Sequence, residues 1–133
     1  LLMTDIVRAI RHKTVLQTSS EYIVRDFLHP ADLYQLISVL LMAPALNKVV
    51  DSYSLAPIDK PTLLIAMKEK SGLRYELIET TAGINATGSK SHYYSINTRA
   101  ADFGYQPAFT SLKGVLQELQ GVLTLNVNEF GSA

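Results

Sequence analysis

The chain has no cysteine, which excludes disulfides and thiolate metal sites and suits a reducing compartment. It also lacks any excess of charge. Its 12 basic and 12 acidic residues balance to zero, so no general field draws nucleic acid or an acidic membrane surface, and an anion must be met by local geometry. The 3 histidines, His12, His29 and His92, do not stand at metal-ligand spacing from one another. The longest apolar run, residues 36–46, is interrupted by Ser38 and Pro44 and falls short of the ~20 residues a bilayer needs. No secretory signal opens the sequence. The expectation is a cytoplasmic protein with neither nucleic acid nor membrane as partner.

What is present is an ordinary folding composition. With 133 residues, 47% hydrophobic and 18% charged, the chain can bury one core. Leu1-Leu2-Met3 reads like the interior of something longer, so the chain is expected to be a piece of a larger protein. The twelve residues 22–33 are the densest stretch. Tyr22-Ile23-Val24 is strand-like, Arg25-Asp26 interrupts it, and His29-Pro30 opens an apolar helix with proline in its first turn. An arginine at such a strand-to-helix junction is a candidate anion ligand.

The remaining elements follow from period and punctuation. Ile6, Val7 and Ile10 predict a short helix capped by Thr4, and residues 14–18 a strand that ends in a Thr18-Ser19-Ser20 turn. A helix is expected from Pro30 to Met42, with Leu33, Leu36, Ile37, Leu40 and Leu41 as its core stripe and Ala43-Pro44 as its stop. Residues 48–53 read as a short, buried strand. Asp59 should cap a helix ending at Ser71-Gly72, with Leu63, Leu64 and Met67 inward. Residues 74–79 alternate as a half-exposed strand, 80–91 form a long polar loop, and 92–94 a short strand. Ser95 should cap a short helix that stops at Gly104, and Thr110 a last helix through Leu112, Val115, Leu116 and Leu119. The pattern fades beyond Gly121, which gives one domain over 1–122 and a tail over 123–133. The order is that of an α/β protein, mostly helical with a few short strands.

Three segments in this order carry a resemblance. Arg25-Asp26-Phe27-Leu28-His29-Pro30-Ala31-Asp32-Leu33 resembles the Arg-Asp-aromatic-aliphatic-His/Tyr-X-X-Asp-Leu signature of the extended short-chain dehydrogenases/reductases, the NAD-dependent epimerases and dehydratases of nucleotide sugars. Val49-Val50-Asp51-Ser52-Tyr53-Ser54 stands where that family has its late "Asn-Val-Gly-Ser" strand. Residues 94–107 followed by Ser111-Leu112-Lys113-Gly114-Val115 resemble its closing segment, a Gly-aromatic-X-Pro turn and a Ser-Leu-X-X-Gly helix. The match covers roughly residues 3–120. It lacks two of the family's marks: no glycine-rich strand-turn-helix fingerprint and no Tyr-X-X-X-Lys acid/base pair occur.

The resemblance therefore implies the C-terminal, substrate-binding portion of an NAD(P)-dependent nucleotide-sugar epimerase, dehydratase or reductase, without the Rossmann half that holds NAD or NADP. It implies no catalytic, cofactor or metal residue in this chain. Arg25 would grip the diphosphate of the nucleotide sugar, since a guanidinium fork matches phosphate oxygens bidentately; read from its neighbours alone, it can equally pair with Asp26 or Asp32 to fix the corner. Asp32, in a helix's first turn, reads as structural, and His29 as a packed or capping histidine. The family's second phosphate arginine has no counterpart in the 80–91 loop, where Lys90 or backbone amides near Gly88 are the substitutes. Tyr94 and Ser20 complete the candidate substrate contacts; the pair Tyr93-Tyr94 reads otherwise as core. The other reading is a free-standing, non-enzymatic binding or interaction module. A chain of this kind, studied alone, is expected to form homo-oligomers through the surface left by the absent half.

Overall fold

The apolar positions of the first helix recur at helical spacing, and α1 runs over Leu2–His12. Its C-cap Lys13 takes the left-handed conformation (φ 53°). No side chain caps its amino end, whose N-cap is Leu1, so Thr4 lies inside the helix rather than capping it. This computed structural model describes residues 1–45, 47–79 and 91–125. The described residues form four α-helices, one 3-10 helix and five short strands.

Strand β1 (Val15–Ser19) pairs in parallel with β4 (Arg74–Ile78), Val15 opposite Arg74 and Ser19 opposite Ile78. A second sheet has β2 (Val24–Arg25) at its centre, antiparallel to β3 (Ile58–Asp59) and parallel to β5 (His92–Tyr93). Helix α2 spans Pro30–Met42 and α3 Lys60–Ser71. The expected caps hold at both ends of α3: Asp59 accepts from the Thr62 amide at 2.8 Å, and Gly72 turns left-handed at φ 70°, a conformation glycine adopts without steric cost. The 3-10 helix covers Arg99–Phe103, and α4, capped by Thr110, covers Ser111–Thr124, past Gly121. Ser95 does not cap the 3-10 helix. Its hydroxyl donates to Asp51 and accepts from the Asn97 amide.

Two cores result. Ile6, Leu63, Leu64, Met67 and Leu73 are essentially inaccessible and bring α1, α3 and α4 around Leu16 of β1. Leu36, Ala100 and Tyr105 form a smaller cluster under α2. Two expectations fail beside it. Residues 48–53 are not a strand; this segment is held by side chains instead, as Tyr105 donates to the Tyr53 carbonyl at 2.6 Å and Arg99 to the Val49 carbonyl at 3.2 Å. The stripe on α2 does not all face inward: Leu36 is buried, yet Leu33, Ile37 and Leu41 are 43%, 49% and 80% exposed. Apolar residues surround this helix on nearly every side, so periodicity alone selects no buried face.

Two carboxylates tie the cores together. Asp26 accepts from the Ser111 hydroxyl at 2.9 Å, from the Ser54 hydroxyl and from the Ser54 amide at 3.1 Å. The Phe27 amide in turn donates to the Ser111 hydroxyl at 2.8 Å. Asp32, 1% exposed, accepts from the Ala108 and Phe109 amides at 2.8 and 3.1 Å. Between them His29 caps α2 by accepting from the Ala31 amide at 3.0 Å, stacks on Phe109 at 3.9 Å and sets its Nε2 3.0 Å from Glu118. A Cβ on Gly114 would stand 3.3 Å from the His29 Cβ, so a glycine stands where α4 crosses His29 most closely.

Two stability measurements follow from these contacts. Asp26→Ala leaves the Ser54 and Ser111 donors without their acceptor and should cost about 3 kcal/mol in urea denaturation, with Asp26→Asn retaining part of it; a loss below ~1 kcal/mol for Asp26→Ala would remove this residue from its structural role. Burial, reinforced by the charges of Asp32, Tyr53 and Asp26, pushes the Tyr105 hydroxyl up to about 12. The folded state then keeps a proton that the unfolded chain releases near its ordinary value of 10.0. Stability from this group is full below about pH 10 and is lost as pH rises toward 12. Denaturation midpoints of the wild type should therefore fall more steeply across that window than those of Tyr105→Phe, and parallel curves would refute it.

Candidate functional site

Side chains alternate across a strand, and around β2 Ile23, Arg25 and Phe27 line one cavity while Asp26 lines a groove on the other side. The cavity, of about 360 Å³, is lined also by Leu2, Met3, Ile58 and Lys60. Arg25 is half-buried there. Its Nη1 donates to the Val24 carbonyl at 3.0 Å, and its Cζ stands 5.7 Å from the ring of Tyr93, its register partner on β5. The Asp26 and Asp32 carboxylates are committed to Ser54, Ser111 and the Ala108 and Phe109 amides.

The amino end of α1 borders the same cavity. Leu1, Leu2 and Met3 line it together with Arg25 and Lys60, so the space has mostly apolar walls and two basic side chains.

Lys60, the first residue of α3, lines the same cavity. It is 6% exposed, and its Nζ donates to the Ser19 carbonyl at 2.6 Å and to the Ser19 hydroxyl at 3.0 Å. Burial holds its amine below the ordinary lysine range, against a smaller upward pull from Glu21.

The other candidates lie elsewhere. Tyr94, 45% exposed, is on the opposite side, in an open groove of about 590 Å³ with Asp26, Asp51, His92 and Ser95. Its ring and that of Tyr22 flank the His92 ring at 6.3 and 6.2 Å. Tyr93 is 63% exposed, so the aromatic pair is surface rather than core. Ser20 is exposed and extends the β1–β4 ladder by donating to the Ile78 carbonyl at 3.1 Å. Lys90 and Gly88 lie outside the described residues.

No protein-family model and no curated protein matches this sequence. Solved structures do. A dTDP-glucose 4,6-dehydratase from Bacillus anthracis, in complex with NAD, superposes with a TM-score of 0.76 at 17% identity over 95% of this chain and 40% of its own. A UDP-glucuronic acid 4-epimerase from Bacillus cereus, bound to NAD and a fluorinated UDP-sugar, gives 0.76 at 12% identity over the same shares, 95% and 40%. An ADP-L-glycero-D-manno-heptose-6-epimerase from Helicobacter pylori gives 0.72 at 16%, over 93% and 38%. The fold is thus the α/β fold of the C-terminal part of extended short-chain dehydrogenase/reductase enzymes. The chain spans about 40% of the length of those relatives. Among the described residues no helix is long and apolar enough to cross a membrane.

Proposed function

We propose that this chain is the nucleotide-sugar-binding portion of an NAD(P)-dependent sugar-nucleotide epimerase, dehydratase or reductase, and that Arg25 grips the substrate's diphosphate. The observation that carries this reading is the place of Arg25, half-buried just before the start of α2 and lining an apolar-walled cavity. A guanidinium supplies two parallel donors, and the low-dielectric walls strengthen them. The similar structures include a dTDP-glucose 4,6-dehydratase with NAD and a UDP-glucuronic acid 4-epimerase with UDP-glucuronic acid and NAD, which supports the substrate class. The cofactor and the acid/base pair belong to the remainder of such an enzyme, since neither the glycine-rich fingerprint nor Tyr-X-X-X-Lys is in this sequence. Ser20 and Tyr94 stand outside the Arg25 cavity and are not part of the grip in this reading.

The partner in this reading is a Rossmann half. It would pack on the exposed apolar face of α2, where Leu33, Tyr34, Ile37, Leu41 and Met42 are 43–87% exposed, and beside residues 48–53, which have no strand partner here. Such faces self-associate when left open.

Titration of the chain with a UDP- or dTDP-sugar should show Arg25→Ala weakening binding by on the order of 1.5–3 kcal/mol, the loss of a charged hydrogen bond. Unchanged affinity would take Arg25 out of the site. Light scattering behind size exclusion should find a dimer or larger species, converted toward monomer by Leu41→Glu together with Met42→Lys. A strictly monomeric wild type with little hydrophobic-dye binding would contradict the packing role given to α2.

A further inference from the structure

We infer that the end of the molecule where α1 and α3 finish is a docking surface for the phosphate backbone of a nucleic-acid duplex. This inference does not depend on the role given to Arg25. The neutrality of the whole chain conceals a segregation of charge. Residues 8–13 and 68–74 hold Arg8, Arg11, Lys13, Lys68, Lys70 and Arg74, half of the chain's 12 lysines and arginines, with Glu69 as the only carboxylate in either stretch. The fold joins the two stretches. Lys13 ends α1 and Gly72 ends α3, while Arg74, which opens β4, pairs with Val15 and donates from Nη2 to the Lys13 carbonyl. Arg11 donates to the Val122 carbonyl at 2.9 Å, so the carboxyl end of α4 meets the same surface. All six basic side chains are exposed.

Cations near helix carboxyl ends have an ordinary structural reading, since they offset the helix dipole. That reading accounts for only part of the charge. Each helix end carries roughly half an elementary charge, so the three ends together offset about one and a half, against six cations and one carboxylate in these stretches. Among the described residues, the Arg8–Asp5 contact at 3.6 Å is the one ion pair that any of the six makes. The remaining cations repel one another across a solvated surface, and a polyanion removes that repulsion. Arg11 and Arg74 are held in place by main-chain carbonyls, and a guanidinium with five donors keeps others to offer.

The same surface selects the kind of polyanion. Within residues 8–15 and 68–76, Val15 is the one exposed large apolar side chain. An anionic membrane surface calls for apolar side chains that insert, a protein partner for aromatic or aliphatic anchors, and a single strand for rings on which bases stack. A duplex backbone needs none of these, because charge supplies essentially all of its sequence-independent binding.

The test is fluorescence anisotropy of short labelled DNA and RNA duplexes titrated with the whole chain over a range of salt. Wild type should bind with a Kd of about 10⁻⁶–10⁻⁴ M at physiological salt, and log affinity should fall against log salt with a slope of roughly −4, near −0.9 for each phosphate neutralised. Lys68→Glu together with Lys70→Glu should weaken binding at least about tenfold and flatten the slope by about 2. Lys48→Glu together with Lys113→Glu, equal in charge change and exposed outside this surface, should leave the slope unchanged, as should Arg25→Ala. Whichever duplex binds more tightly identifies the source of the backbone. No saturable binding to either duplex, or equal weakening by the two double variants, overturns the proposal. So does binding to phosphatidylserine vesicles by a wild type that ignores both duplexes. Should circular dichroism show the Lys68 and Lys70 double variant unfolded, the wild-type slope decides, and a value shallower than about −2 refutes a surface of this many cations.

Discussion

The fold depends on carboxylates that replace solvent for donors far apart in the chain. Asp26 joins the central strand β2 to Ser54 and to the first residue of α4, and Asp32 joins the start of α2 to the Ala108 and Phe109 amides. Both bonds are made between segments with no regular pairing to each other. Charged acceptors are worth roughly twice neutral ones in such places, and a donor left bare would cost its full desolvation. His29, wedged between them on Phe109 and against Gly114, sets the distance at which α4 passes α2. These contacts fix the direction in which Arg25, the residue next to Asp26, leaves the strand.

The same hub divides one short motif between two sides. In Arg25-Asp26-Phe27-Leu28-His29-Pro30-Ala31-Asp32, the acidic residues, the histidine and the proline hold the corner, while Arg25 and Phe27 line the cavity. Alternation along a strand explains the division: Asp26 turns toward α4 and the 54 loop because Arg25 turns toward α1 and α3. Tyr94 falls on the Asp26 side for the same reason, two residues from His92 on β5.

Much of the architecture was legible because local rules and tertiary contacts agree. Asp59 and Thr110 cap the helices they were expected to cap, Gly72 and Gly104 take the left-handed turns expected of glycine, and Pro30 opens α2. The signature segments also indicated the fold that the superpositions report at 12–17% identity. Legibility failed where the deciding partner is remote in sequence or is not among these residues. Residues 48–53 have strand composition but no neighbouring strand to bond with, and α2 is apolar on too many sides for its period to choose an inner face.

The sequence by itself determined most helices and strands and the caps at Asp59, Gly72, Gly104 and Thr110, since these rest on residue type and on spacing within a few positions; the Thr4 and Ser95 caps and the 48–53 strand it did not. Only the tertiary structure decided which groups meet. It brought the start of α1, Arg25 and Lys60 to one cavity, sent Tyr94 to the opposite side of the sheet, and buried a lysine at a helix start. The physical reason is strand register: pairing Arg25 with Ile58 and Tyr93 assigns every side chain on three strands to a side at once, and nothing within β2, β3 or β5 taken singly specifies that pairing.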